Sequence, residues 1–287
     1  MLDGILVVNK PIGYTSRDVV NIVAKTLNTK QVGHTGTLDP MASGVLVICV
    51  GKALKLCEFL TDHDKDYIAG VTLGFETDTL DMGGNVLSTE SVDIESQTII
   101  DVVTSFKGSY MQEVPKFSAV KINGKKLYEY ARNNIDVKLP SRNVNIFNIQ
   151  VVDNIVYKNE KIEFNIKTSV SKGTYIRSLV RDIGIKLGVP AVMSSLVRER
   201  VGEFYLSDSV SIDDIKAGKF RLIPILETIP SIPKVYVNDE MAFKIRNGVI
   251  LDKFFNGDKA FILDNNENLI AIYENIDGKA RDYKMFI

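Results

Sequence analysis

Residues 33 to 44 read Gly33-His34-Thr35-Gly36-Thr37-Leu38-Asp39-Pro40-Met41-Ala42-Ser43-Gly44, a stretch that puts a carboxylate, an imidazole and hydroxyls close together along the chain. Pro40 fixes its own φ and keeps Asp39 out of the α region, while the glycines admit positive φ or close approach of backbone to a ligand. The segment therefore reads as a rigid loop that presents Asp39, with His34, Thr35 and Thr37 beside it. Three readings compete. A phosphate loop needs Gly-Lys-Ser/Thr after its glycines, and Gly51-Lys52 is followed by Ala53, so that reading fails. A hydrolase would use His34 and Asp39 as two members of a triad, but no Ser or Cys nucleophile is set between a base and its orienter. A strand-connecting turn with Asp39 as a cap stays open.

Other chemistry-bearing groups depend on the elements that carry them. Ile5 to Val8 is a short buried strand ended by Lys10-Pro11-Ile12-Gly13. Thr15-Ser16-Arg17-Asp18 is a capping box, and Val19, Val23 and Leu27 form the apolar face of the helix behind it. Val45 to Val50 is a strand or short helix buried on both sides, Ala53 to Leu60 is helical, and Lys65 to Leu73 is a strand with Tyr67, Ala69, Val71 and Leu73 alternating. Asp78 to Asn85 is a loop, and Gln97 to Phe106 a helix. Lys107 to Pro140 is basic, polar and irregular around Asn123-Gly124, a length of connection that usually has a function. Asn143 to Val156 and Lys161 to Ser169 form a hairpin.

A helix then runs from Thr174 to Leu187, with Ile176, Leu179, Val180 and Ile183 on one face and Gly188 as its stop. It opens at Ser171-Lys172-Gly173-Thr174, so Tyr175 and Arg177 sit where free N–H groups can meet an anion. A cation at that end opposes the helix dipole, which calls for an acidic partner. A short helix follows Ser211, and Ile229-Pro230-Ser231-Ile232-Pro233 marks a boundary before a small β-rich unit with a hairpin between Phe261 and Tyr273.

Composition narrows the classes. The chain has 287 residues, 45% hydrophobic and 25% charged, which is ordinary for a folded globular protein. Its start is unlike a secretory signal, no apolar run is long enough to span a bilayer, and Cys49 and Cys57 alone make neither a disulfide framework nor a zinc cluster. The expectation is a cytoplasmic protein without metal. A net charge of -1 means that any nucleic-acid footprint is local. Basic clusters occur at Lys116, Lys121, Lys125, Lys126 and Arg132, at Lys172, Arg177 and Arg181, and at Arg198 and Arg200; each is equally compatible with a solvated face.

Taken together, the motifs resemble those of the TruB-type pseudouridine synthases. The resemblance covers the whole string from Gly33 to Gly44, Asn9-Lys10-Pro11-x-Gly13-x-Thr15-Ser16, Tyr67 after Asp-Lys-Asp, and Gly74-Phe75-Glu76-Thr77-Asp78-Thr79-Leu80-Asp81. It continues through Gln112 to Arg132, with Phe117-Ser118-Ala119-Val120-Lys121-Ile122-Asn123-Gly124, and Ser171-Lys172-Gly173-Thr174-Tyr175-Ile176-Arg177-Ser178-Leu179. These run in matching order from about residue 4 to about 205. Three departures stand out: Val114 before Pro115 where a second proline is common, Val170 before Ser-Lys-Gly, and Val197 where an arginine often follows the leucine.

The resemblance implies an α+β fold, with a mixed, largely antiparallel central sheet flanked by helices and a small β-rich PUA-like RNA-binding domain at the C-terminus. It implies a catalytic domain over 1–230, an RNA-gripping insertion at about 107–140, and the small domain over 231–287. The implied activity is conversion of a T-loop uridine of tRNA, position 55, to pseudouridine after base flipping, without cofactor or metal. Asp39 is the implied nucleophile, Arg177 its partner in a bidentate or near-bidentate pair, and Tyr67 the aromatic that stacks on the base. Tyr175 and Leu196 are pocket walls, and His34 helps fold the nucleotide out of its loop. Lys10, Lys116, Lys121, Lys125, Lys126, Arg132 and Lys172 join the RNA contacts. The implied partner is the tRNA T-arm, met by a monomer with no membrane and no obligatory protein partner. Two other readings carry different tests: a tRNA-binding or folding chaperone without catalysis, and a guide-RNA-dependent synthase subunit.

Overall fold

The structure is a computed structural model that describes residues 2–286. Its core begins with two apolar strands, Gly4–Lys10 and Ser43–Val50, paired antiparallel. Alternate residues of each face opposite ways. Ile5, Val7, Val45, Val47 and Cys49 pack on one side, while Leu6, Val8, Leu46, Ile48 and Val50 meet Val19, Val20 and Val23 of the helix Ser16–Thr26 on the other. Cover on both faces is why these strands read as continuous apolar runs. The helix starts as its capping box requires: the Asp18 amide donates to Thr15 Oγ1 at 3.1 Å, and the Thr15 amide donates to Asp18 Oδ2 at 2.8 Å.

These strands belong to a nine-stranded sheet. Its main path runs Gly4–Lys10, Ser43–Val50, Ala191–Val201, Lys65–Leu73, Lys161–Val170, Ser141–Lys158 and Gly108–Glu113. Two short strands flank it, Val32–His34 on Ser43–Val50 and Phe204–Tyr205 on Ala191–Val201. Every pairing is antiparallel except Ser43–Val50 with Ala191–Val201, so the sheet is mixed and largely antiparallel as expected. The helix Ile176–Leu187 lays Ile176, Leu179, Val180 and Ile183 onto it and ends at Gly188, whose φ of 77° is the left-handed stop. A second, five-stranded sheet spans Lys234 to Met285, including the expected hairpin Lys259–Leu263 with Leu269–Ile276. Its Phe261, Leu263 and Ile272 share a core with Ile5 and Val45 of the large sheet.

Two local expectations change and one strand is new. The helix from Ala53 to Leu60 is a 3-10 turn, Gly51–Leu56, followed by Cys57–Thr61. The irregular stretch 107–140 contains a sheet strand, Gly108–Glu113, then a hairpin of Lys121–Ile122 with Lys125–Lys126, then the helix Leu127–Arg132. Polar alternation hides that strand, since only Gln112 of it is fully buried. Ala191–Val201, which carries no obvious turn signals, is a central strand beside Lys65–Leu73.

Candidate active site

The loop that carries Asp39 leaves the sheet after Val32–His34 and returns at Ser43–Val50. Its local turn is closed by the Ala42 amide donating to the Asp39 carbonyl at 3.0 Å. The return depends on Gly44, which has φ 107° and on which a Cβ would lie 2.2 Å from the Arg198 carbonyl oxygen. Gly36 shows neither a positive φ nor a crowded neighbour, so the glycine argument made from composition holds at Gly44 and not there.

Side chains from elsewhere hold this loop. Ser16, at the start of its helix, receives the Leu38 amide at 2.9 Å and donates to the Leu38 carbonyl at 3.2 Å. Lys10 Nζ donates to the carbonyls of Pro11 at 2.9 Å, Tyr14 at 2.8 Å and Pro40 at 3.5 Å. Lys10 is fully buried, and burial pushes its ammonium down to about 8 against the opposing pull of Asp39. Lys10, expected among the RNA contacts, spends its ammonium on internal carbonyls here. Arg198, 2% exposed, donates to the carbonyls of Val45, Thr37 and Gly36.

Asp39 itself is one-third exposed and meets the buried Arg177 through Nε at 2.9 Å. Against the bidentate or near-bidentate pair expected from sequence, the contact runs through one nitrogen. The other two guanidinium nitrogens are taken, Nη1 by the Thr79 carbonyl at 2.9 Å and Nη2 by the Phe117 carbonyl at 3.0 Å. A second carboxylate, Asp81, lies 3.8 Å from Nε and accepts from Thr79 Oγ1 at 2.7 Å and the Gly83 amide at 3.0 Å. Arg177 is thus fixed by two carbonyls and stands between two carboxylates, of which Asp39 is the nearer, as an ion pair at 2.9 Å. The acidic partner expected from the unfavourable helix-start position is present twice.

Tyr67 is 6% exposed and packs in one apolar cluster with Leu38, Ala42, Ile176 and Leu196, which includes the chain neighbours of Asp39 and Arg177. Tyr175 caps the Arg177 helix; Gln112 accepts its amide proton at 2.8 Å and donates to its carbonyl at 3.1 Å, while the Arg142 guanidinium lies 5.6 Å from its ring centroid. His34 is half-buried with Nδ1 unpartnered, and burial, with Arg17 and Arg198 nearby, pushes its pKa below the usual value, so the imidazole is neutral at pH 7. Along the insertion, Lys116, Lys121, Lys125 and Arg132 are exposed and Lys126 is half-exposed. Lys172 is exposed and paired with Asp62 at 2.5 Å.

The basic pair Arg198 and Arg200 divides. Arg198 turns inward, whereas Arg200 donates to both carboxylate oxygens of Asp66, at 2.6 and 2.8 Å, across a register shift between the two residues. Sequence reasoning assigned no role to Arg198, Ser16, Asp81 or Gln112. The alternation of Leu196 with Arg198 was the one available sign that this arginine shares an inward face. A cavity of about 390 Å³ lies beneath the insertion, lined by Leu80, Phe117, Leu127, Ile135 and Arg181 among others. It borders the segments that hold Arg177, and neither Asp39 nor Tyr67 lines it. Among the described residues no group of three or more His, Cys, Asp or Glu side chains is arranged to hold a metal ion, and no helix is long and apolar enough to cross a membrane.

The model of the TruB family pseudouridylate synthase N-terminal domain matches residues 24–176, and that of the tRNA pseudouridylate synthase B C-terminal domain matches 177–222. The chain belongs to the TruB family. A tRNA pseudouridine synthase B of Bacillus subtilis (strain 168) is 41% identical over 95% of this chain and 93% of its own. One of Bacillus licheniformis is 44% identical over 88% of this chain and 84% of its own. Among solved structures, an H/ACA RNP bound to a substrate RNA containing 2′-deoxyuridine holds a chain 25% identical, with TM-score 0.68 over 99% of this chain and 85% of that one. The archaeal box H/ACA sRNP Nop10-Cbf5 complex shares the fold at 22% identity and TM-score 0.67, over 99% of this chain and 86% of that one. This TruB-family chain is accordingly a tRNA pseudouridine synthase, an isomerase with the α+β fold of that family.

Proposed function

We propose that the enzyme isomerises the T-loop uridine at position 55 of tRNA, and that Asp39 is its nucleophile. In this reading the uridine leaves the stacked T-loop, because a base inside the stack cannot reach the Asp39 carboxylate. His34, neutral and at the loop's entry, helps the RNA refold around the vacated position. Tyr67 takes the face of the uracil, an interaction worth about 1 to 3 kcal/mol per base. Asp39 attacks the nucleotide, the N1–C1′ glycosidic bond breaks, the uracil turns, the C5–C1′ bond forms, and the C5 proton leaves as the aspartate is released. Nothing is oxidised or reduced.

The observation that carries this reading is the Asp39 carboxylate itself: one-third exposed, yet held at 2.9 Å by a guanidinium that is 7% exposed. A carboxylate whose only work was to cap a turn would not need a buried cation behind it. The exposed cations from Lys116 to Arg132 support a grip on the phosphate backbone, and the C-terminal sheet supports a second RNA contact beyond residue 231. The domain limits 1–230 and 231–287 belong to the same reading.

The test is incubation of the protein alone with an unmodified tRNA transcript, followed by mapping of pseudouridine. Product at position 55 is the expected result, and product at another position overturns the site. Bound RNA without product favours the chaperone reading, and product that appears only when a guide RNA is added favours the guide-dependent one.

A further inference from the structure

Arg198 has no place in the bond-making steps, yet it is among the most deeply buried cations in the protein, at 2% exposure. Among the described residues no carboxylate lies within ion-pair distance of it. A buried guanidinium without a counter-ion is costly, and an apolar side chain of similar volume would be cheaper to bury. What an apolar side chain cannot do is donate.

Arg198 donates Nε to the Val45 carbonyl at 2.7 Å, Nη1 to the Thr37 carbonyl at 3.3 Å and Nη2 to the Gly36 carbonyl at 3.3 Å. Gly36 and Thr37 lie on the limb that leads into Asp39, and Val45 lies on the strand that leads away from it. The backbone of Arg198 is fixed independently: the sheet register pairs it with Tyr67 on one side and with Gly44 on the other. The close seat of Gly44 on the Arg198 carbonyl removes slack from that second pairing. One residue therefore joins the strand of Tyr67 to both limbs of the Asp39 loop. Ser16 and Lys10 also hold the loop, but from the first helix and the Pro11 turn, not from the strand beside Tyr67.

We propose that Arg198 is a positioning residue for the isomerisation, setting the Asp39 carboxylate relative to the Tyr67 ring by tying Gly36 and Thr37 to Val45. The proposal rests on the reading of Asp39 as nucleophile. Displacing an attacking group by about 1 Å costs on the order of 10²-fold in rate, so a contact that fixes loop height acts on the chemical step more than on RNA affinity. Lysine cannot replace it, because a single ammonium does not reach acceptors on two limbs that the guanidinium fork spans.

The experiment compares wild type, Arg198→Lys, Arg198→Gln, Asp39→Asn and a distant core truncation, Ile99→Ala, on a T-arm stem-loop RNA. Single-turnover rate at saturating enzyme, Kd and Tm are measured for each. Arg198→Lys and Arg198→Gln are expected to lower the rate by roughly 30-fold with Kd within about threefold. Ile99→Ala, a stability change alone, is expected to keep the wild-type rate below its Tm. Arg198 variants that keep a rate within about twofold of wild type overturn the proposal. So does a rate loss matched by Ile99→Ala at equal loss of Tm, or failure of both Arg198 variants to fold, since each makes the residue a stability element only. Asp39→Asn separates the two claims: if it retains product the nucleophile reading fails, whereas its loss beside an unimpaired Arg198→Lys sinks only the positioning role.

Discussion

The Asp39 loop and the insertion between Glu113 and Ser141 are both irregular excursions from the same sheet, and they are built oppositely. The loop is held by groups that are not its own: Ser16, Lys10, Arg177 and Arg198 come from three separate parts of the chain and are each 6% exposed or less. The insertion mostly holds itself. The Leu127 amide donates to the Val120 carbonyl at 2.8 Å, Tyr130 Oη to the Ile122 carbonyl at 3.0 Å, and Arg132 lies 5.4 Å from the Tyr128 ring centroid. Lys126 Nζ donates to Tyr128 Oη at 3.3 Å, and Lys116, Lys121 and Lys125 face solvent. In the proposed function, one excursion keeps a single carboxylate in one place, where a small displacement destroys rate, and the other presents charge to RNA, where each contact is worth little and none must be exact in position. Arg177 is the hinge between them, since it binds Asp39 with one nitrogen and the Phe117 carbonyl of the insertion with another.

The contrast can be broken by substitution. The largest effect is expected for Asp39→Asn, which keeps shape and removes charge: a loss of at least about 10³-fold in rate with tRNA affinity preserved, read by tritium release from C5-labelled uridine in the RNA. Retained release would undo the distinction at its root. Arg177→Lys comes next, at about 10²-fold in rate, because the ammonium cannot serve Asp39 and both carbonyls at once. An equal loss of RNA binding in that variant would make Arg177 a part of the grip instead.

A subtler test uses Lys10. Its folded-state pKa of about 8 lies below the value of 10.5 for the free side chain, so between these values the unfolded chain binds the extra proton. The cost of burying the ammonium is fully present below pH 8 and is relieved as pH rises toward 10.5. Wild-type stability measured against Lys10→Met should therefore improve between pH 7 and pH 10, as read by the difference in Tm. A difference that stays flat or falls would mean that the loop's brace carries no buried charge. The smallest effects belong to the insertion: Lys121→Ala or Lys125→Ala should weaken tRNA binding by less than about tenfold, lower the salt slope by about 1, and leave the saturated rate and Tm unchanged.

Much of the fold was legible because its elements carry local signals. The capping box at Thr15, the alternation around Tyr67 and the glycine stop at 188 each act through neighbours a few residues away, and each appears where expected. The strand Gly108–Glu113 was not legible, because it lies at the end of the sheet with mostly polar or half-exposed side chains, so its pairing with Ser141–Lys158 leaves little hydrophobic trace. Within the site, Asp39 and Arg177 were named from their motifs and meet, and Tyr67 shares an apolar cluster with their neighbours Leu38 and Ile176, while the single-nitrogen geometry of the pair and the second carboxylate, Asp81, emerged only in three dimensions.

The cations show the division most clearly. By itself the sequence determined which residues carry positive charge, where the rigid Asp-Pro loop lies, and which stretches form helices and strands. It grouped Arg198 with Arg200 and Lys10 with the RNA contacts, because charge is a property of the residue type. Whether a charge faces water or a carbonyl is a property of everything packed around it. Lys10 and Arg198 are internal because stretches separated in the chain, Gly4–Lys10, Ser43–Val50 and Ala191–Val201, lie in one sheet and bring backbone acceptors within reach of their nitrogens. Only the tertiary structure decided that, and with it which cations hold the Asp39 loop and which face solvent.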